Sequence, residues 1–175
     1  FSWLKITGLD TVLGPEMKST GEAMGHGPNF GTAYLKAMKG GNKKIPIKGT
    51  VFLSISNKFK VEIVSLAKRL KKLGFKLIAT KGTASHLRAS DVDSKVIWRI
   101  SDKKSPDILS IMREGNVNLI VNLPTGKRAA TDGAQMRRLA VELGIPFITT
   151  ITGAEAAIQS LEEGENDYLM PINKQ

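Results

Sequence analysis

From residue 50 onward, short continuous apolar runs alternate with stretches in which apolar residues recur every three or four positions. Continuous runs are typical of strands buried on both faces, and the wider spacing is typical of helices with one buried side. The first helical stretch shows this spacing at Ile63, Leu66 and Leu70, and Gly74 is expected to end it. The predicted strands are residues 51–55, 75–79, 95–100, 117–121 and 146–149.

Five strands that alternate with helices predict an α/β fold. The strands are expected to run parallel in one open sheet, with helices on both faces and three layers in all. Residues 1–49 break this pattern, because they are rich in glycine and proline and show helical spacing only at residues 30–38. The sequence therefore predicts a regular domain that follows an irregular N-terminal segment.

Cap residues predict where the last three helices begin. Ser105 is expected to cap the helix after the third strand, with Pro106 in its first turn. Thr131 or Asp132 is expected to cap the next helix, and Thr152, with an acid three positions later, has capping-box spacing for the last. The helix capped at residue 131 or 132 is expected to bury Met136, Leu139, Ala140 and Leu143.

Polar clusters follow every predicted strand. Parallel strands end at the same edge of a sheet, so these clusters should meet where open α/β sheets bind ligands. The strongest cluster is Thr80, Lys81, Gly82 and Thr83, between an apolar strand and a helix start. Unpaired N–H groups there attract an anion, the glycine lets the backbone approach it, and the hydroxyls add donors. The sequence therefore predicts an anion-binding cleft, with ordinary turn and cap chemistry as the alternative.

The composition argues against several other kinds of site. None of the 175 residues is cysteine and two are histidine, so disulfides, thiolate metal sites and a catalytic zinc site are not expected. No apolar run reaches the roughly 18 residues of a membrane helix. The net charge of +10 divides into +4 for residues 1–49, +11 for residues 50–138 and −5 for residues 139–175. This distribution indicates a localised positive region.

Residues 14–22, Gly-Pro-Glu-Met-Lys-Ser-Thr-Gly-Glu, resemble the segment that closes the second ATP-grasp half in large subunits of carbamoyl phosphate synthetases. The five-strand pattern, with the turn at residues 80–83 and Asn122 after the fourth strand, is similar to the methylglyoxal-synthase-like domain that follows that segment in the same family. The chain starts at Phe1, and we expect it to be a piece of a longer protein. The resemblance implies that residues 1–47 end the ATP-grasp part and form a linker, and that residues 48–175 are the allosteric domain.

The resemblance implies regulation rather than catalysis for this piece. The family's domain binds UMP or IMP and controls a ligase that makes carbamoyl phosphate from bicarbonate, glutamine-derived ammonia and two ATP, for pyrimidine and arginine synthesis. No cofactor is then expected in this fragment, whereas the parent enzyme uses ATP with Mg²⁺ or Mn²⁺. The implied partners are the rest of the large subunit, the glutaminase small subunit and a second copy through self-association. A cytoplasmic location without nucleic acid or membrane contact is expected.

The resemblance also implies a set of effector-binding residues. In the family a lysine early in the first helix and the two threonines of the turn hold the phosphate, and a basic residue and an asparagine complete the pocket. In acetylglutamate-responsive members, a tryptophan at the end of the third strand contacts the effector. No catalytic or metal-ligating residue is implied. The candidates in this chain are Lys60, Thr80, Lys81, Gly82, Thr83, Trp98, Arg99, Asn122, Thr125 and Lys127.

Two departures from the family pattern leave the effector open. Leu123 and Pro124 stand where the UMP-binding type often has two threonines, and Trp98 is shared with the acetylglutamate-responsive type. UMP, IMP, acetylglutamate and phosphoribosyl pyrophosphate all remain candidates. One alternative function is a methylglyoxal-synthase-type lyase, but Leu123 occupies the place of its carboxylate base and Asp132 is the carboxylate nearby in sequence. A basic nucleic-acid-binding module is another alternative, which lacks stacking aromatics among the basic residues.

Overall fold

The computed structural model of the protein describes residues 23–41, 44–125 and 127–163, and for residues 127–130 it describes the backbone alone. Its centre is a five-stranded sheet in the order β3-β2-β1-β4-β5, and every neighbouring pair is parallel. In this register Val51 lies between Leu77 and Leu119, deep in the sheet. The predicted parallel sheet is confirmed. Its strands are β1 Thr50–Ile55, β2 Lys76–Thr80, β3 Lys95–Ile97, β4 Leu119–Leu123 and β5 Phe147–Ile148.

Helices cover both faces of the sheet, as predicted. Alternate residues of a strand point to opposite faces. In β1, Val51 and Leu53 therefore join a core with α1, α2, α3 and α6, whereas Phe52 joins a second core with α4 and α5. The helices are α1 Phe30–Gly40, α2 Lys60–Lys72, α3 Lys81–Arg88, α4 Ile108–Arg113, α5 Lys127–Glu142 and α6 Ile151–Glu163, and short 3-10 turns span Asn57–Phe59 and Ile100–Asp102.

The helix predicted ahead of the sheet is α1, and it packs against α6. The Asn29 side chain caps α1 by accepting a hydrogen bond from the Thr32 N–H at 2.9 Å. The Gly31 N–H donates to the Glu163 carboxylate at 2.8 Å, so the start of α1 is tied to the end of α6. The motif at residues 14–22 lies outside the described residues.

All five strands differ from their predicted bounds, and β4 and β3 differ by more than one residue at an end. β4 is residues 119–123 rather than 117–121, because its pairing with β1 begins at Leu119, opposite Val51, and the Asn118 side chain accepts the Thr50 N–H at 2.8 Å just before it. Asn122 therefore lies inside β4 and not after it. β3 ends at Ile97, because Trp98 leaves the sheet to form a parallel bridge with Asp107.

The predicted helix starts at residues 105, 131–132 and 152 are wrong. Asp107 caps α4 by accepting from the Ser110 N–H at 2.9 Å, so Pro106 lies before the helix. Thr150 holds the start of α6, because its hydroxyl accepts from the Gly153 N–H at 3.1 Å. In both helices the capping oxygen belongs to a residue two positions from the predicted cap.

The start of α5 lies at Lys127, about one turn before the predicted caps. Thr131 and Asp132 are thus interior helix residues. Met136 and Ala140 are buried as expected, but Leu143 lies beyond the helix end and is 44% exposed.

Candidate anion-binding cleft

A cleft of about 760 Å³ opens at the carboxyl ends of the central strands. The chain goes from β1 to β2 and β3 on one side and then crosses back to β4 and β5 on the other side of β1, so the strand order reverses at β1. Such a switch point creates a crevice between loops that diverge, which is where open α/β sheets bind ligands. The cleft contains eight of the ten predicted residues, namely Lys60, Thr80, Lys81, Gly82, Thr83, Trp98, Arg99 and Thr125.

The amino end of α3 forms one wall of the cleft. Its first backbone N–H groups have no helical acceptor, and the N-cap residue Thr80 makes no side-chain cap hydrogen bond. No acidic side chain lies in this first turn, in contrast to the carboxylate cap of α4 at Asp107. A Cβ placed on Gly82 would lie 3.9 Å from the Lys60 ammonium nitrogen, so Lys60 from α2 reaches over the turn. Partial positive charge and a full cation thus face the same space.

Hydroxyl hydrogen bonds fix the shape of this turn. The Thr83 hydroxyl accepts a hydrogen bond from the Ile55 N–H at 3.1 Å and donates one to the Ile55 carbonyl oxygen at 3.4 Å. The Thr80 hydroxyl donates to the Thr83 oxygen at 3.1 Å. A hydroxyl has one donor and two acceptor positions, so Thr83 uses all three inside the protein. Thr83 therefore braces α3 against β1, and Thr80 stands in front of it.

Arg99 contributes a cation that is already paired. Its Nη2 lies 2.9 Å from Asp102 Oδ1 and its Nε lies 3.3 Å from Asp102 Oδ2. The arginine hydrogen bond holds the pKa of the Asp102 carboxyl below its usual range, and the same bond raises the pKa of Arg99. Both groups therefore stay charged at neutral pH. Asp102 lines the cleft, whereas Asp132, the carboxylate singled out in the sequence, instead accepts a 2.8 Å hydrogen bond from the Ser101 hydroxyl.

Trp98 is half-buried at the rim of the cleft. The Lys104 ammonium nitrogen lies 4.4 Å from the ring centroid, a cation–π contact on one side of the indole. Its backbone carbonyl accepts from the Ile108 N–H at 3.2 Å. The aromatic side chain is thus anchored at both the backbone and the ring, and it presents a flat apolar surface beside Arg99.

The remaining two predicted residues are placed differently. Asn122 is 1% exposed and is not among the residues that line the cleft. Its side-chain nitrogen finds no hydrogen-bond partner among the described residues, and a Cβ on Gly133 of α5 would lie 2.9 Å from it. The absence of a side chain at Gly133 therefore gives Asn122 its space. The Lys127 side chain lies outside the described part of the chain.

The structure adds cleft residues that were not among the ten candidates. Most come from the end of β1 and the 3-10 turn that follows it, where the sequence showed only a polar strand exit. The described lining contains four cations, Lys58, Lys60, Lys81 and Arg99, and one carboxylate, Asp102. The cleft is therefore electropositive. The added residues are Ser54, Ile55, Ser56, Asn57, Lys58, Ser85, Asp102, Leu123 and Pro124.

Neither a metal-binding cluster nor a membrane-spanning helix occurs in the described ranges. No group of three or more histidine, aspartate or glutamate side chains there could hold a metal ion. None of the described helices is both long enough and apolar enough to cross a bilayer.

Comparison with known proteins identifies the domain. The family model described as MGS-like domain matches residues 62–149. The carbamoyl phosphate synthase large chain, C-terminal section, of Methanocaldococcus jannaschii is 48% identical over 162 residues, which are 93% of this chain and 26% of that protein. The protein of the same name from Methanopyrus kandleri is 47% identical over 163 residues, 93% of this chain and 30% of its own length.

Full-length relatives give the same result. The carbamoyl phosphate synthase large chain of Archaeoglobus fulgidus is 46% identical over 163 residues, 93% of this chain and 15% of that protein. The chain thus spans less than a third of the length of these relatives. The crystal structure of ForH covers 67% of this chain and 82% of its own, with 18% identity and a TM-score of 0.49. The family match and the sequence identities to the carbamoyl phosphate synthase chains show that the chain belongs to the MGS-like domain family, and within it to the carboxyl-terminal sections of carbamoyl phosphate synthase large chains.

Proposed function

We propose that this chain is the effector-binding part of a carbamoyl phosphate synthase large chain, and that its cleft binds a phosphorylated nucleotide such as UMP or IMP. The observation that carries this proposal is the uncapped start of α3, with Lys60 placed over Gly82 in an electropositive cleft. A phosphate dianion fits such a place, because backbone N–H groups and an ammonium both stabilise negative charge. The Trp98 surface and the apolar wall of Leu123 and Pro124 leave room for a less polar part of the same ligand.

The proposed role in the parent enzyme is control of the ligase reaction. That enzyme would form carbamoyl phosphate from bicarbonate, glutamine-derived ammonia and two ATP in the cytoplasm, with ATP and its Mg²⁺ or Mn²⁺ bound elsewhere in the large chain. The rest of the large chain and a glutaminase subunit would be its partners, with residues 1–47 as the connection to the body of the large chain. An effector that binds one state of the enzyme better than another shifts the equilibrium between them, typically by about 1 to 3 kcal/mol.

A lyase reaction in the same cleft is disfavoured. A general base needs a free carboxylate with a pKa near the working pH. Among the described cleft residues the carboxylate is Asp102, which is hydrogen-bonded to Arg99 and has a lowered pKa. Leu123 brings no ionisable group to the end of β4. The cleft is therefore built to bind an anion rather than to abstract a proton.

Isothermal titration calorimetry of the 175-residue chain with UMP, IMP and acetylglutamate tests the proposal. We expect saturable binding of UMP or IMP that Lys60→Ala and Thr80→Ala weaken. The loss should be about ten-fold or more for Lys60→Ala, the scale of a hydrogen bond to a charged group. Lys68→Ala is the matched control, because it removes the same charge from an exposed position on the same helix. Binding of acetylglutamate alone, or of none of the three by the folded chain, would contradict nucleotide binding.

A further inference from the structure

One cation of the cleft is held by the protein's own carboxylate. Asp102 takes two hydrogen bonds from the Arg99 guanidinium and a third, at 3.2 Å, from the Arg99 N–H. Both residues line the cleft, and the Arg99 side chain is 58% exposed. The arginine is thus accessible to a ligand, but Asp102 already takes the edge of the guanidinium formed by Nε and Nη2, two of its five N–H donors.

The carboxylate is kept in place by the local backbone. Asp102 is the last residue of the 3-10 turn Ile100–Asp102, and Lys103 leaves that turn with a positive φ of 50°. The middle residue of the turn, Ser101, is anchored from α5, because Asp132 accepts from its hydroxyl at 2.8 Å and its N–H at 3.3 Å. The turn is therefore held by Arg99 at its start and by Asp132 of α5 at its middle, and Asp102 stays beside Arg99 in the absence of a ligand.

We infer that Asp102 is an internal competitor for the effector, which occupies Arg99 until an anion displaces it. This inference rests on the proposed function of the cleft. A phosphate that engages Arg99 must replace the carboxylate or lie beside it, and both choices cost free energy, since like charges repel and the existing hydrogen bonds are lost. Lys60 and the start of α3 lack such a competitor among the described side chains, so they can take the anion first. Asp102 then sets how tightly the bound anion is held.

The charge-neutral variant Asp102→Asn tests this inference. Its side-chain oxygen can still accept a hydrogen bond from the Arg99 N–H, so the turn should keep its cap. Circular dichroism and the thermal midpoint of unfolding check that the variant is folded. Titrated with UMP and with IMP, the variant should bind about three- to five-fold more tightly, the scale of an exposed arginine–carboxylate pair. Glu142→Gln is the control for net charge and should bind as the parent chain does, because Glu142 ends α5 ahead of the amino end of β5 and does not line the cleft.

The same substitution in an Arg99→Ala background separates competition from simple repulsion. If Asp102 acts through Arg99, the gain from Asp102→Asn should be much smaller once Arg99 is absent. The inference would be overturned by equal gains in both backgrounds. It would also be overturned if Asp102→Asn left binding unchanged or weakened it. In either case, nucleotide binding by the parent chain would still support the proposed function. Failure of all these proteins to bind either nucleotide would instead overturn the proposed function itself.

Discussion

Gly82 shows how a single missing side chain shapes the candidate site. It occupies the second position of α3, directly beneath the Lys60 ammonium nitrogen. The space between the two is where an anion would contact both the helix start and the lysine. Thr83 behind it is fully hydrogen-bonded to Ile55 and Thr80, so the turn cannot easily move back to make room.

The variant Gly82→Ala should therefore separate binding from stability. Among the described residues outside its own helix turn, the nearest atom to an alanine Cβ is the Lys60 ammonium nitrogen at 3.9 Å. Alanine also favours a helix by up to about 1 kcal/mol over glycine, so the free energy of unfolding should be unchanged or higher. UMP or IMP binding should weaken about ten-fold, since an extra methyl group in a filled space costs about 1 to 3 kcal/mol. Urea unfolding and calorimetry measure the two effects. Unchanged affinity would place the anion elsewhere in the cleft.

At the scale of elements, the sequence predicts which helices and strands exist better than where they begin. The apolar run at residues 117–121 and the strand at residues 119–123 differ by two positions, because pairing with β1 rather than hydrophobicity decides the boundary. Asn118 accepts the Thr50 N–H, a contact between residues far apart in the chain. The spacing of apolar residues carries no information about such a partner.

Helix α6 offers a direct test of one corrected boundary. The Thr150 hydroxyl accepts the Gly153 N–H, whereas Thr152 already lies within the helix. Thr150→Ala should lower the free energy of unfolding by about 1 kcal/mol, the usual cost of losing an N-cap. Thr152→Ala is the matched control and should change it by less than about 0.5 kcal/mol. Urea titrations followed by circular dichroism compare them, and a larger loss at Thr152 would restore the capping box predicted from the sequence.

At the scale of the molecule, the alternation of strands and helices predicted that polar strand exits meet at one edge, and eight of the ten candidates do meet there. The strand order could not be predicted, because no local pattern tells β4 to pair with β1 rather than with β3. The pairing of Arg99 with Asp102 was also missed. An acid three residues after an arginine is common in sequences, and only the 3-10 turn brings these two side chains together.

Charge also couples the outer helices of the molecule. Arg69 of α2 donates to both carboxylate oxygens of Glu162 in α6, at 2.8 and 2.6 Å. This hydrogen bond holds the pKa of Glu162 below its usual range. A carboxyl with a lowered folded-state pKa stabilises the protein above its unfolded pKa, and that contribution is lost as the pH falls through the folded value. The net charge of +10 at pH 7 grows as acids protonate, so self-repulsion increases over the same range.

We therefore expect acid to remove the contribution of this ion pair. At pH 7, Glu162→Gln should lower the free energy of unfolding by no more than about 1 kcal/mol, because Glu162 is 36% exposed and solvent screens the pair. The difference from the parent chain should begin to shrink as the pH falls below the unfolded pKa of the carboxyl, and it should approach zero once the pH is below the lowered folded pKa, where both proteins carry a neutral side chain at this position. Urea unfolding at pH 7, 5, 4 and 3 measures it, with Glu142→Gln as the control at each pH. A difference that persists unchanged at pH 3 would show that Glu162 stabilises the contact of α2 with α6 by packing rather than by charge.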